Sequence, residues 1–151
     1  MREELFLAVQ DLPAPRDQVF AFFSDPANLE ALTPSWLAFE VLTPAPLPRG
    51  EGAVFDYRIR VRGLPVRWRT LIESFVPCER FVDRQIAGPY ALWHHTHRFE
   101  DLPDGGTRMT DQVRYRLGWG PLGRLVATLW VRRDIERIFA YRRRVLAERF
   151  G

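Results

Sequence analysis

The 151-residue sequence predicts an α+β fold in which a curved antiparallel sheet of about six to seven strands faces a long C-terminal helix. Two observations carry this prediction. From Ala53 to Leu117 apolar and charged side chains alternate with a period of two, which is typical of half-buried strands joined by short turns. Pro121 then marks the start of a last element, and residues 124–150 contain neither proline nor glycine, which favours one long helix.

The first third of the chain predicts strands and two short helices. Proline suits the first helical position and aspartate caps a helix N-terminus, so Pro15 and Asp25-Pro26 each open a helix. The elements predicted here are a strand (Leu5–Val9), the helix after Pro15, the helix from Asp25 to Thr33-Pro34, and a strand (Trp36–Leu42).

Short turns between the later strands predict which residues face one another. The predicted strands are Ala53–Arg62, Pro65–Val76, Phe81–Ala87, Ala91–Glu100 and Thr107–Leu117. The predicted turns are Gly63-Leu64, Pro77–Arg80 and Gly88–Tyr90, which pair Ile59 with Trp68, Ile72 with Gln85, and Asp83 with His95.

This register gives the sheet one inward and one outward face. The inward face is predicted to hold Phe55, Tyr57, Ile59, Val61, Val66, Trp68, Thr70, Ile72, Phe81, Asp83, Gln85, Trp93, His95, His97, Phe99, Met109, Asp111, Val113 and Tyr115. The outward face is predicted to hold Asp56, Arg58, Arg60, Arg62, Arg67, Arg69, Glu73, Arg84, Arg98, Arg108, Arg114 and Arg116.

The long helix is predicted to bury one apolar stripe against the inward face. That stripe comprises Ile135, Ile138, Phe139, Val145 and Leu146. An earlier set, Leu122, Leu125, Val126 and Leu129, is out of phase with it. The helix is therefore expected either to bend near Trp130 or to make a different contact with its first half.

Composition narrows the classes of function. All 22 basic residues are arginine and the net charge is +3. Because these arginines alternate onto the solvent side without interleaved aromatic residues, no nucleic-acid partner is expected. No apolar run is long enough to cross a bilayer, the N-terminus lacks a signal-peptide core, and the single Cys78 excludes an internal disulfide. A cytoplasmic protein without membrane insertion is expected.

Several stretches resemble the helix-grip superfamily that includes START domains, polyketide cyclases/dehydrases and birch-pollen-type allergens. These stretches are Asn28–Pro34, Arg67-Trp68-Arg69, Phe81–Gln85, Gly88–Tyr90, Trp93–His97 and Asp111–Tyr115. The resemblance covers the whole chain and implies a single START-like domain over residues 1–151. It also implies that a small hydrophobic or amphipathic molecule, lipid-like or polyketide-like, sits between the sheet and the helix.

The inward face is expected to bind this ligand. The expected ligand-binding residues are Tyr57, Trp68, Thr70, Asp83, Gln85, Trp93, His95, His97, Asp111 and Tyr115. A pocket bounded by Trp68, Trp93, Tyr115 and the first half of the helix is predicted, with openings near the Thr43–Arg49 loop and the Gly118–Gly120 turn.

Four polar inward residues are candidates for chemistry: Asp83, His95, His97 and Asp111. If the Asp101–Gly106 connection sets His97 opposite Asp111, the sheet carries two adjacent Asp–His pairs. The pairs could be structural, could form the polar end of a ligand pocket, or could serve acid–base catalysis in a cyclase or dehydrase. Two histidines with a carboxylate could also hold a metal, but no metal or cofactor is expected. A ligand-free interaction module, such as a homodimer, is the remaining alternative.

Overall fold

A seven-stranded antiparallel sheet forms the body of the protein, with strand order β1-β7-β6-β5-β4-β3-β2. The computed structural model describes residues 3–61, 63–118, 120–121, 125 and 127–151. The strands are β1 (Glu4–Leu12), β2 (Glu40–Val41), β3 (Val54–Val61), β4 (Leu64–Val76), β5 (Arg80–Ala87), β6 (Tyr90–Asp101) and β7 (Thr107–Leu117).

Among the described residues, the longer α-helices beside the sheet are α1 (Arg16–Phe23) and α2 (Arg132–Phe150). The short helix predicted from Asp25 is only a 3-10 turn over Pro26–Asn28, in which the Asp25 carboxylate accepts a hydrogen bond from the Ala27 N–H at 3.0 Å. None of the described helices is both long enough and apolar enough to cross a bilayer.

The predicted strand over Trp36–Leu42 is wrong for most of its length. Ser35–Leu37 form a second 3-10 turn, and only Glu40–Val41 pair with β3. Ala38 closes the turn in the left-handed conformation, with φ of 46°, which a strand cannot accommodate. The turn buries the Leu37 side chain, which is 5% exposed, so packing overrides the local strand pattern.

The β5–β6 and β6–β7 registers match the prediction. Asp83 lies opposite His95, and His97 lies opposite Asp111. The β3–β4 pairing is shifted, because Ile59 pairs with Val66 rather than with Trp68. Val61 pairs with Leu64, and Gly63 before Leu64 has a φ of +80°. Since the shift is two residues, the inward face is preserved.

The β4–β5 pairing also departs from the prediction. Ile72 lies opposite Asp83 rather than Gln85, because the turn is one residue shorter than predicted and an irregularity interrupts the ladder between Ile72 and Ser74. Such a bulge changes which face the following residues present. It turns Phe75 inward, where its ring packs against Phe81 with centroids 6.4 Å apart.

The two faces of the sheet divide as predicted. Inward residues such as Trp68 (5% exposed) and Val113 (0%) are buried. Six of the outward arginines pair with acids: Arg58, Arg67, Arg69, Arg84, Arg108 and Arg114. Arg69, for example, donates to Asp56 at 2.8 Å and 3.2 Å. His94 contacts Glu73 at 2.8 Å on this face. Arg62, predicted here, lies outside the described residues.

Helix α2 packs on the inward face through its predicted stripe. Ile135, Phe139 and Leu146 are buried, and Ile138 and Val145 are half-buried. Two arginines fix the helix to the free edge of β1: Arg132 donates to the Leu5 carbonyl at 3.0 Å and Arg143 to the Val9 carbonyl at 2.8 Å.

A π-helical turn over Ala127–Val131 precedes α2 and explains the change of phase. One extra residue in a turn rotates the following side chains by roughly 100° relative to those before it. Leu125 and Leu129 consequently point to solvent, with 62% and 60% exposure. Leu122 and Val126 lie outside the described residues.

Truncating Phe139 should test the docking of α2. Its ring lies 4.9 Å from the ring of Phe6 and is 8% exposed. We expect Phe139→Ala to lower the free energy of unfolding by about 3–5 kcal/mol, as for other buried phenylalanines. Leu129→Ala, at an exposed position of the preceding turn, should change it by less than about 0.5 kcal/mol. Equal urea midpoints for both variants would contradict the described packing.

Candidate functional site

Two adjoining cavities lie between the sheet and α2. One, of about 160 Å³, extends toward α1 and the 3-10 turn at Pro26. The other, of about 220 Å³, extends toward the 3-10 turn at Trp36. They share seven lining residues: Leu29, Thr33, Tyr57, Trp93, His95, Ile138 and Arg142. Together they place apolar space directly on the inward face of the sheet.

Aromatic side chains form much of the wall. Tyr57 stacks on Trp68 with centroids 5.8 Å apart, and Trp68 meets Trp93 edge-on at 5.3 Å. These contacts follow from the register, which sets Tyr57 opposite Trp68. The Trp68 indole N–H is buried and has no hydrogen-bond acceptor among the described residues. The wall is thus largely apolar, with a buried donor that lacks a partner.

Asp83, His95, His97 and Asp111 form one connected cluster, called here the Asp–His cluster. Its shortest contacts run diagonally across the strands rather than between the opposed pairs. His95 Nε2 lies 2.8 Å from Asp111 Oδ1, and His97 Nε2 lies 2.6 Å from Asp83 Oδ2. The directly opposed atoms are farther apart: His95 Nδ1 is 3.6 Å from Asp83 and His97 Nδ1 is 3.1 Å from Asp111.

Strand geometry explains this arrangement. His95 and His97 are two residues apart on β6, so both rings project from one face and stack with centroids 3.7 Å apart. The ring of Phe81 covers His97 at 4.1 Å. Asp83 comes from β5 and Asp111 from β7, so each imidazole lies between two carboxylates.

Arg142 completes the site and was missed in the sequence. Its guanidinium lies 4.0 Å from Asp111 Oδ1 and over the rings of Phe23 and Phe139. The sequence carried a signal, because Arg142 follows Ile138 and Phe139 by four and three residues and therefore lies on the buried stripe of α2. A charged residue at that spacing is unusual unless it has a partner in the interior.

The charges of the site influence one another. Burial alone would raise the pKa of Asp111, but Arg142 and the two imidazoles hold it well below its usual range. Burial likewise opposes ionisation of Asp83, yet His95 and His97 lower the pKa of its carboxyl. Two carboxylates are therefore ionised at neutral pH, and they require two positive charges nearby.

The two histidines differ in the direction of their pKa shifts, so they differ in how readily they supply a positive charge. Burial would lower the pKa of His97, but the close carboxylates of Asp111 and Asp83 raise it above 6.5. Burial and the charge of His97 lower the pKa of His95 below 6.5 despite its own carboxylate neighbours. Below its raised pKa, His97 carries a positive charge that, together with Arg142, balances the carboxylates of Asp83 and Asp111. The lowered pKa of His95 favours its neutral form.

The structure brings together seven of the ten expected ligand-binding residues. Those that line a cavity are Tyr57, Trp68, Thr70, Asp83, Trp93, His95 and His97. Asp111 lies behind the imidazoles and lines neither cavity. Gln85 instead holds the β5–β6 turn, donating to the Tyr90 carbonyl at 2.7 Å. Tyr115 is 1% exposed and packs in the core with Phe6.

The predicted openings are only partly matched. Pro48, Arg49 and Gly50 line the first cavity, so the end of the Thr43–Arg49 loop borders it as expected. Gly118 and Gly120 are not among the residues that line either cavity, and Trp119 lies outside the described residues.

A divalent metal ion is an alternative occupant of the Asp–His cluster. Ligand atoms from Asp83, His95 and His97 lie within 4.8 Å of one another, and zinc sites use such donors. Arg142, however, already places a positive charge 4.0 Å from Asp111, and the carboxylates already contact both imidazoles. The charge balance favours the hydrogen-bonded network over a cation.

Comparison with known proteins identifies the fold. The model of the family described as polyketide cyclase / dehydrase and lipid transport matches residues 12–139. No curated protein matches the chain.

Solved structures with this fold include TTHA0849 from Thermus thermophilus, at 23% identity and a TM-score of 0.73 over 97% of both chains. The ZhuI aromatase/cyclase from Streptomyces sp. R1128 is 16% identical, with a TM-score of 0.74 over 98% of this chain and 93% of that one. A START superfamily protein from Mycobacterium smegmatis is 12% identical, with a TM-score of 0.68 over 97% and 96%. The similarity in each case is one of fold.

The unequal histidines lead to a pH prediction. Below the unfolded value of about 6.5, protonated His97 stabilises the fold, and this contribution is lost as pH rises through its raised folded pKa. Buried His95 resists protonation, so its contribution decreases as pH falls below about 6.5.

NMR titration of the assigned ring signals of His95 and His97, in chelator-treated buffer, should therefore show two midpoints on opposite sides of 6.5. His95→Gln, which removes one of the coupled groups, should leave the upper midpoint in place and identify it as His97. Two midpoints close to 6.5 would mean that the rings are not held between the carboxylates.

Proposed function

Because this chain belongs to the polyketide cyclase / dehydrase and lipid transport family, we propose that it binds a small hydrophobic or amphipathic molecule between the sheet and α2. The observation that carries the proposal is the composition of the shared cavity wall. It combines the aromatic faces of Tyr57 and Trp93 with the polar edges of His95 and Arg142. Ligand pockets commonly combine an apolar wall with a few convergent polar groups in this way.

The wall supports a defined orientation of the ligand. Apolar parts can contact Leu29, Tyr57 and Ile138, which line both cavities. Polar parts can reach the side that His95 and Arg142 provide. An amphipathic molecule is favoured over a purely apolar one, because buried polar groups gain from hydrogen-bond partners.

Acid–base catalysis of the cyclase or dehydrase type is a second candidate function. The observation that favours it is a pair of stacked imidazoles on the cavity wall, with ring centroids 3.7 Å apart and pKa values shifted in opposite directions. His95, whose pKa is lowered, suits the role of a base that accepts a proton from a substrate. His97, whose pKa is raised, suits the role of the acid that donates one, as cyclisation and dehydration of a poly-β-ketone require.

A neutral fluorescent probe tests ligand binding. We expect N-phenyl-1-naphthylamine to bind with enhanced emission, since it is apolar and uncharged. Ile138→Trp should weaken its affinity by about tenfold or more, because the larger side chain occupies the space that both cavities share.

Ile86→Trp supplies the matched control, since Ile86 is 44% exposed and lines neither cavity. Its probe affinity should equal that of the wild type, and thermal melting should show that both variants are folded. A probe that fails to bind the wild type, or that binds both variants alike, would refute the cavity as the binding site.

Turnover separates the second candidate from the first. If the chain is a cyclase or dehydrase, incubation with a poly-β-ketone should give a dehydrated ring product detectable by mass spectrometry. His95→Gln should then lower the rate by about 100-fold or more while probe binding is retained, since general acid–base groups commonly contribute that much. If the wild type binds the probe but does not turn over the poly-β-ketone, catalysis is refuted and ligand binding remains the proposed function.

A further inference from the structure

Arg142 carries a charge in the interior without the hydrogen bonds that such a charge normally requires. Its side chain is 13% exposed. A guanidinium has five N–H donors, yet within the described part of the chain none of them donates to an acceptor. Asp111 supplies the only carboxylate oxygen within 4.0 Å among the described residues. A mostly buried charge without a hydrogen-bonded protein partner is costly, so such a group usually has a function.

Other arginines of this chain show what Arg142 lacks. Arg108 donates to both oxygens of Asp11, at 2.9 Å and 3.1 Å, and Arg114 donates to both oxygens of Glu3, at 3.1 Å and 2.9 Å. Each is a two-pronged contact with a carboxylate on the outer face. Of these three arginines, Arg142 lines the cavities, and it is the one that lacks a two-pronged contact with a carboxylate.

The surroundings of Arg142 hold the guanidinium at the cavity wall. Its carbon lies 5.2 Å from the ring centre of Phe23 and 4.9 Å from that of Phe139. Aromatic faces attract a cation but accept no conventional hydrogen bond. Asp111 is occupied by His95 at 2.8 Å, with His97 at 3.1 Å. The N–H donors therefore remain available to a molecule in either cavity, since Arg142 lines both.

We propose that Arg142 binds the carboxylate of an otherwise apolar ligand. This proposal rests on the proposed binding function and specifies the class of ligand. A planar carboxylate matches the fork of guanidinium donors, as it does in the outer-face pairs. Asp83 lines the first cavity and is ionised, so it disfavours groups with two negative charges, such as a phosphate monoester. The ligand class is a monocarboxylic acid with an aromatic or aliphatic body.

Matched ligand pairs test the proposal by displacing N-phenyl-1-naphthylamine from the wild-type protein. The pairs are naphthalene-2-carboxylate with naphthalene-2-carboxamide, and decanoate with decanamide. Each acid should bind about tenfold or more tightly than its amide, because hydrogen bonds to charged groups are stronger than neutral ones. Equal binding of acid and amide, or displacement by neither, would overturn the proposal.

Substitution of Arg142 locates the effect. Arg142→Met removes the charge and keeps much of the length, so it should abolish the preference for the acids, measured as the ratio of acid to amide affinity within that variant. Arg144→Met, at an exposed position of α2 beside Tyr141, should keep the preference. A preference that survives in folded Arg142→Met would contradict the assignment. If that variant fails to fold, the comparison of acid with amide in the wild type still decides.

The two proposals fail in different ways. Loss of all probe binding in the wild type refutes the cavity itself. Normal probe binding without a preference for acids refutes only the carboxylate site at Arg142.

Discussion

Two carboxylates, two stacked imidazoles and a guanidinium meet beneath α2, and the mutual balance of their charges constrains the rest of the site. Asp83 and Asp111 flank the histidines of β6, and Arg142 reaches in from the helix. Removing one partner of a hydrogen-bonded Asp–His pair leaves the other buried without it, which commonly costs about 3–5 kcal/mol. The network therefore fixes the alignment of three strands and one helix in a single arrangement.

The two cavities adjoin the polar network, whose groups need hydrogen-bond partners that apolar core side chains do not provide. Leu146 and Phe20 on one side, and Val113 and Ile135 on the other, belong to dense apolar clusters. Between them the Asp–His cluster and Arg142 adjoin empty space lined by aromatic rings. Imidazole and guanidinium N–H groups gain no hydrogen bonds from contact with Ile138 or Leu29. A ligand with a polar end can hydrogen-bond to those groups while its apolar part contacts the apolar side chains.

Binding and catalysis make similar demands on this arrangement. A carrier needs polar groups that orient its ligand, and a cyclase or dehydrase needs an acid and a base on the same wall. The neighbouring histidines, one with a raised and one with a lowered pKa, meet both demands. The fold itself does not distinguish them, since folds of this kind accommodate many functions.

The sequence by itself determined the strands of the meander, the inward and outward faces, and the pairing of Asp83 with His95. It predicted the pairing of His97 with Asp111 only on the condition that the Asp101–Gly106 connection set them opposite each other, and the structure meets that condition. These features depend on a period of two and on short turns, which are local properties of the chain. The tertiary structure alone decided the diagonal contacts of the Asp–His cluster, the inward turn of Phe75 at a bulge, and the π-helical turn before α2. It also placed Arg142 over Phe23, although these residues are far apart in the sequence. Such contacts depend on the distance between elements and on their packing, and no local pattern encodes that distance.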